Sequence, residues 1–266
     1  LIGVVRNKFI DFIKNSISEE STNEIEYRYQ EYMALLGNFD SEESISKDFR
    51  IDIKDVNQYH IPGIENVVLV NSLRELRALV SFSRIKPLDR NDIGVNEDIN
   101  RSKGVAIKSR DTRWLPAMEV RGEGIFITFK EEVINNWISG NPIIQKRAEM
   151  INKRLADTSN SRGMEERKIS PKFILLHTLS HILIRELSFE CGYATASLRE
   201  RLYCNEFDDQ PKMAGLLIYT ASGDSEGTLG GLVRQGKPEF FNKIFRSAIT
   251  RASWCSSDPL CIESDG

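Results

Sequence analysis

Several things are scarce in this sequence, and each scarcity removes a class of function. No run of roughly 18 apolar residues occurs, so no segment reads as a membrane-spanning helix. The opening Leu1-Ile2-Gly3-Val4-Val5-Arg6 has neither an initiator methionine nor the layout of a secretory signal, and reads as the interior of a longer protein. Excess charge is small: 36 basic side chains face 39 acidic ones, for a net charge of -3. A general basic coat for nucleic acid is excluded as the dominant design, while one local patch or a partner protein stays open. Cysteine is limited to four positions, 191, 204, 255 and 261. A chain of 266 residues can build its own core without a disulfide framework. Reduced thiols or metal ligands, in the cytoplasm, are the expectation. There is no Gly-x-x-x-x-Gly-Lys-Ser/Thr loop, so the chain has no nucleotide-driven motor of its own.

What is present is the balance of an ordinary globular chain, 40% hydrophobic and 28% charged. Val5, Phe9, Phe12, Ile13 and Ile17 recur at helical spacing over 1–17, and a second helix is expected over 20–36, ending at Gly37. Residues 38–62 read as an acidic loop with one alternating stretch at Phe49, Ile51 and Ile53. Within 67–85, Leu69, Leu73, Leu76 and Val80 fall on one helical face, with Arg74, Arg77 and Arg84 adding positive charge. Residues 86–103 read as a polar loop. Val105–Ile107, Leu115–Val120 and Ile125–Phe129 read as short strands, the last two joined by a Gly122-Glu123-Gly124 hairpin turn. Asn141-Pro142 and Ser170-Pro171 each place a capping side chain before a proline at the first helical position. A short helix is expected over 194–203, a buried strand over 214–219, and a helix over 238–253 with Phe240, Phe241, Ile244, Phe245 and Ile249 inward. Asp157 to Lys168 lacks apolar periodicity and reads as a linker between a region 1–157 and a domain 169–266. The fold class is α+β, helix-rich, with short mixed or antiparallel sheets, as a fragment of a larger multidomain protein.

Three constellations could carry chemistry. His177 and His181, four apart, share one helix face, a spacing that can bind zinc. The residue after His177 is Thr178, where a zinc protease helix needs a glutamate base. The plainer reading is two half-buried imidazoles satisfied by neighbours. The alternative is a metal-dependent hydrolase or nuclease drawing on Glu186 or Asp224. Next, the buried strand ending at Tyr219 runs into a segment holding Gly223, Asp224, Glu226, Gly227, Gly230 and Gly231. Glycine N–H groups can approach phosphate, but Asp224 and Glu226 would repel a polyphosphate without a metal. A tight turn with close backbone packing is the plainer reading. Last, Cys255 and Cys261 flank the turn-forming Asp258-Pro259. Two thiols are half of a structural zinc set, Cys191 and Cys204 could supply the rest, and spacing alone leaves metal and free thiols both open. Two basic clusters, Arg74/Arg77/Arg84/Arg90 and Lys146/Arg147/Lys153/Arg154, fit either a DNA surface or a solvated face.

In order along the chain, His177-Thr178-Leu179-Ser180-His181, Ala196-Ser197-Leu198-Arg199-Glu200-Arg201, Gly223 to Leu232, and Trp254-Cys255 to Cys261 resemble the C-terminal helicase-associated domain of the DrmB family. Leu73-Arg74-Glu75-Leu76, Phe82-Ser83-Arg84-Ile85 and Trp114 to Phe126 extend the resemblance upstream, over roughly residues 67 to 263. Members of that family are accessory subunits of DISARM anti-phage systems. The resemblance implies a non-catalytic subunit that pairs with a superfamily 2 DNA helicase and supports its work on DNA, directly or through the helicase. It makes Cys255 and Cys261 ligands of a structural zinc, with the family's further cysteines beyond this chain. Candidate DNA or partner contacts are Arg74, Arg77, Arg84, Asp224, Glu226, Gly230 and Gly231.

Overall fold

A computed structural model describes residues 20–38, 48–79, 81–82, 105–106, 114–162, 168–192, 195–205, 210–220 and 231–253. Its centre is a five-stranded sheet, every pairing of which is antiparallel. The strands are β1 (Arg50–Lys54), β2 (Ile64–Ala78), β5 (Ala117–Phe129), β7 (Ala214–Thr220) and β6 (Leu198–Cys204), in that spatial order. A separate two-stranded pair joins β3 (Ser81–Phe82) to β4 (Val105–Ala106). The described helices are α1 (Glu20–Leu35), α2 (Glu131–Ser139), α3 (Pro142–Arg162), α4 (Pro171–Cys191), α5 (Gly231–Gln235) and α6 (Pro238–Ala252). The α+β class holds, and the sheet takes strands from both sides of the 157–168 stretch.

Helices cover both faces of the sheet. On one face Val67, Ile125, Ile127, Leu216 and Ile218 pack with Leu176, Leu183 and Leu187 of α4 and Phe241 and Ile244 of α6. On the other, Val68, Val70, Phe126, Tyr203 and Leu217 pack with Tyr32 and Leu35 of α1. There the rings of Tyr32, Phe126 and Tyr203 meet one another at 5.5 to 5.7 Å between centroids. Burial on both faces explains the sequence of the central strands. Adjacent residues enter opposite cores, so Val67-Val68-Leu69-Val70 and Ile125-Phe126-Ile127 run apolar without alternation.

That same burial corrects the reading of 67–85. Leu69, Leu73 and Leu76 have helical spacing, but they lie in strand β2, where β-branched valines dominate the buried half. Gly122-Glu123-Gly124 is also not a hairpin turn: it lies inside the continuous strand β5. The glycines let β7 come close. A Cβ on Gly122 would sit 1.8 Å from the Thr220 carbonyl oxygen, and one on Gly124 would sit 2.9 Å from that of Ile218. Residues 194–203 are not a helix either. A 3-10 turn (Thr195–Ser197) leads into edge strand β6, where Leu198, Tyr203 and Cys204 are buried. Helix α3 continues through Arg162, into the stretch expected to be a linker. The Asn141 amide donates back to the Trp137 carbonyl at 2.6 Å, closing α2. In α6, Phe241, Ile244 and Ala248 are buried, while Ile249 is exposed. The helix expected over 1–17 and the loop over 86–103 lie outside the described residues.

Candidate functional site

Helix α4 begins where its sequence signals it. Ser170 accepts from the Phe173 N–H at 3.1 Å with Pro171 in the first turn, and Gly192 closes the helix at φ 71°. Its buried stripe, Leu176, Leu179, Leu183 and Leu187, faces the sheet. His177 and His181 are thereby left on an outer flank, their side chains 46% and 61% exposed. Edge strand β6 runs past this flank and brings in Glu200. The two Nε2 atoms lie 3.1 Å apart, and Glu200 Oε1 is 3.2 Å from that of His177 and 3.6 Å from that of His181. Among the described residues this is the one group of three His, Cys, Asp or Glu side chains that converges with metal-ligand geometry. Ser180 Oγ, fully buried, hydrogen-bonds the other Glu200 oxygen, Oε2, and donates to the His177 carbonyl at 2.8 Å. Phe173 stacks on the His177 ring at 5.7 Å.

The histidine pair thus shares a face, and its acidic companion is Glu200. Glu186, the carboxylate expected beside it, is 2% exposed and pairs with Arg251 of α6 at 3.2 Å. In the sequence Glu200 stands out only as part of the segment Ala196 to Arg201. Its role escaped because 194–203 reads as a helix, and a strand lying across α4 is a tertiary fact.

The glycine segment ends at α5. Gly231 is the first residue of that helix, and the N–H of Leu232 donates to Glu123 Oε1 at 2.8 Å. Glu123 is 1% exposed at the centre of the sheet. Its backbone is held to Thr220, whose hydroxyl accepts from the Glu123 N–H at 3.1 Å. A carboxylate of the chain itself therefore accepts from the first turn of α5. Gly223, Asp224, Glu226, Gly227 and Gly230 lie outside the described residues.

Arg74 and Arg77 lie on β2 beyond the reach of β1. Arg74 pairs with Glu119 at 2.5 Å and Asp48 at 3.3 Å, and Arg77 pairs with Glu75 at 2.7 Å. The hydrogen bond from Arg74, then that from Arg121, holds the Glu119 carboxyl below its usual range. That from Arg77 does the same for Glu75. Both arginines thus have their charge balanced within the sheet. Lys146, Arg147, Lys153 and Arg154 are exposed on α3. Arg84, Arg90, Cys255 and Cys261 lie outside the described residues. Cys204 is buried in the core, its thiol 3.9 Å from Ser170 Oγ and 3.4 Å from the Asn205 carbonyl. No helix among the described residues is long and apolar enough to cross a membrane.

A family model described as the MrfA Zn-binding domain matches residues 179–266. That span takes in His181, Glu200, the glycine segment and both C-terminal cysteines. A curated protein of Bacillus paralicheniformis, DISARM protein DrmB, is 34% identical over 257 residues, which is 96% of this chain and 43% of that protein. The chain therefore spans less than half the length of this relative.

Proposed function

This chain is a relative of DISARM protein DrmB, and from that premise we propose that it serves DISARM anti-phage defence as an accessory module without catalysis of its own. In this reading it works in the cytoplasm, pairs with a superfamily 2 DNA helicase subunit and supports that subunit's engagement of DNA. The observation that carries the proposal is identity sustained across almost the whole chain.

Three physical features support it. First, the sequence holds no Walker-type loop, and Glu123 accepts from the first turn of the helix that follows the glycine segment. Second, α2 and α3 present apolar side chains to solvent: Val133, Trp137, Ile143, Met150 and Ile151. Exposed apolar residues with cations among them (Lys146, Arg147, Lys153) are what a docking surface for a protein already on DNA requires. Third, the family match points to zinc. Cys255 and Cys261 would be two of that ion's ligands. Cys204 is turned into the core against Ser170 and Asn205. Bound at Cys255 and Cys261, zinc would brace the segment after α6 as a structural ion.

Co-expression with the helicase from the same operon provides the test. A stable complex that survives gel filtration is expected, and replacing Trp137 and Ile143 by Asp should break it while the isolated chain stays folded. Failure of the pair to co-purify would remove the reading.

A further inference from the structure

We propose that His177, His181 and Glu200 form a second divalent-cation site, of zinc type, that clamps helix α4 to edge strand β6. The inference stands apart from the helicase reading and from the C-terminal cysteines.

The geometry argues as follows. Tetrahedral zinc with bonds of ~2.0–2.1 Å to nitrogen and oxygen separates its ligand atoms by about 3.3–3.4 Å. The three edges here are 3.1, 3.2 and 3.6 Å. All three atoms are of types that offer a lone pair to a metal, and each lies within contact distance of both others. Protons on the two Nε2 atoms can satisfy at most the two edges to Glu200, and the two nitrogens then face each other at 3.1 Å with no bond between them. A cation above its centre satisfies all three edges at once. The trio is also braced. Helix spacing fixes the two histidines one turn apart, Phe173 stacks on the first ring, and buried Ser180 holds the carboxylate oxygen that faces away from them. The ligand atoms belong to two elements, α4 and β6, that also meet at this flank through the Ser180–Glu200 hydrogen bond and apolar packing. An ion here ties the last strand of the sheet to its covering helix. The exposure of both imidazoles leaves the fourth coordination position open to water. The only acid of the trio is itself a ligand, so the site carries no separate base and its role is a structural clamp.

The test is zinc stoichiometry and affinity in the 266-residue chain, after chelation and reloading, compared with three variants. Wild type should hold one zinc more than His177→Ala/His181→Ala. The Cys255→Ser/Cys261→Ser variant should retain that ion. Loaded with cobalt(II), it should show tetrahedral d–d bands without thiolate charge transfer. Glu200→Gln keeps a partner for Ser180 but removes the anionic ligand, and should weaken this site at least ~10-fold. An unchanged zinc count in the double-histidine variant would overturn the proposal. So would unchanged affinity in Glu200→Gln, a variant that also decides the matter if the double-histidine chain fails to fold.

Discussion

Replacing Glu123 tests whether the buried carboxylate is a helix cap. In the folded chain its Oε1 accepts the N–H of Leu232, a residue with no solvent exposure. Glu123→Ala leaves that donor buried and unpaired, a loss of about 1–3 kcal/mol. The vacated volume adds a packing term at the sheet centre, so the sum is roughly 2–4 kcal/mol. Glu123→Gln keeps an acceptor oxygen of the same reach and gives up only the attraction between carboxylate and helix terminus, about 0.3–1 kcal/mol. The ordering wild type, Gln, Ala should appear in urea unfolding followed by circular dichroism, as falling midpoints with an unchanged slope. An Ala variant within about 0.5 kcal/mol of wild type would refute the capping argument, since that is the range of surface substitutions away from special features. A Gln variant as damaged as the Ala variant would show that charge, and not the hydrogen bond, is what the site needs.

Two further outcomes are expected. Gly122→Ala puts a methyl 1.8 Å from the Thr220 carbonyl, which is backbone and cannot swing away, so the β5–β7 contact must open. A loss of about 3 kcal/mol, the upper end for overpacking, is expected by thermal or denaturant unfolding, and a variant of wild-type stability would count against the observed approach of the strands. Alkaline pH should unfold the protein through its tyrosines. Burial first of all raises Tyr32 to about 12, and burial likewise raises Tyr59, Tyr203 and Tyr219. A phenol with a folded value above its unfolded ~10 contributes stability that is intact below pH ~10 and lost as pH climbs toward 12. Phenolate absorbance should therefore rise together with loss of helix signal, and full ionisation of all tyrosines near pH 10 with the fold intact would contradict it.

Where local chemistry decides the structure, the sequence was readable. Ser170-Pro171 marks the start of α4, and the apolar run 214–219 reads as the buried strand that β7 is. The histidine pair was placed correctly because four-residue spacing fixes a helix face whatever surrounds it. Elsewhere the deciding forces act across the sheet. Burial on both faces removed the period-two pattern from β2, and the leucines left behind imitated a helix. Gly122 and Gly124 resemble turn residues until β7 is laid against them. Glu200 carries no local sign that it will lie beside His177, because that meeting depends on how β6 crosses α4. Glu123 stands between two glycines, which disguises a buried cap as an exposed turn residue.

The central strands are longer than the sheet they build. β1 leaves β2 at Ser72, and β7 leaves β5 at Gly124, yet β2 and β5 stay paired from Leu73–Gly122 out to Ala78–Ala117. The outer part is a two-stranded ribbon of roughly 20 Å, held by pairs such as Arg74–Glu119 and carrying exposed Leu76 and Met118. Among the described residues no third strand joins this part, and an isolated pair of strands is marginal in water. The ladder, whose register shifts between Val70 and Leu73, should therefore contain two regimes of hydrogen exchange: slow amides between Ile125 and Phe129, fast ones between Ala117 and Glu119. Salt should speed only the second set. Local opening is expected to begin in this ribbon before it reaches the buried strands at the sheet's centre.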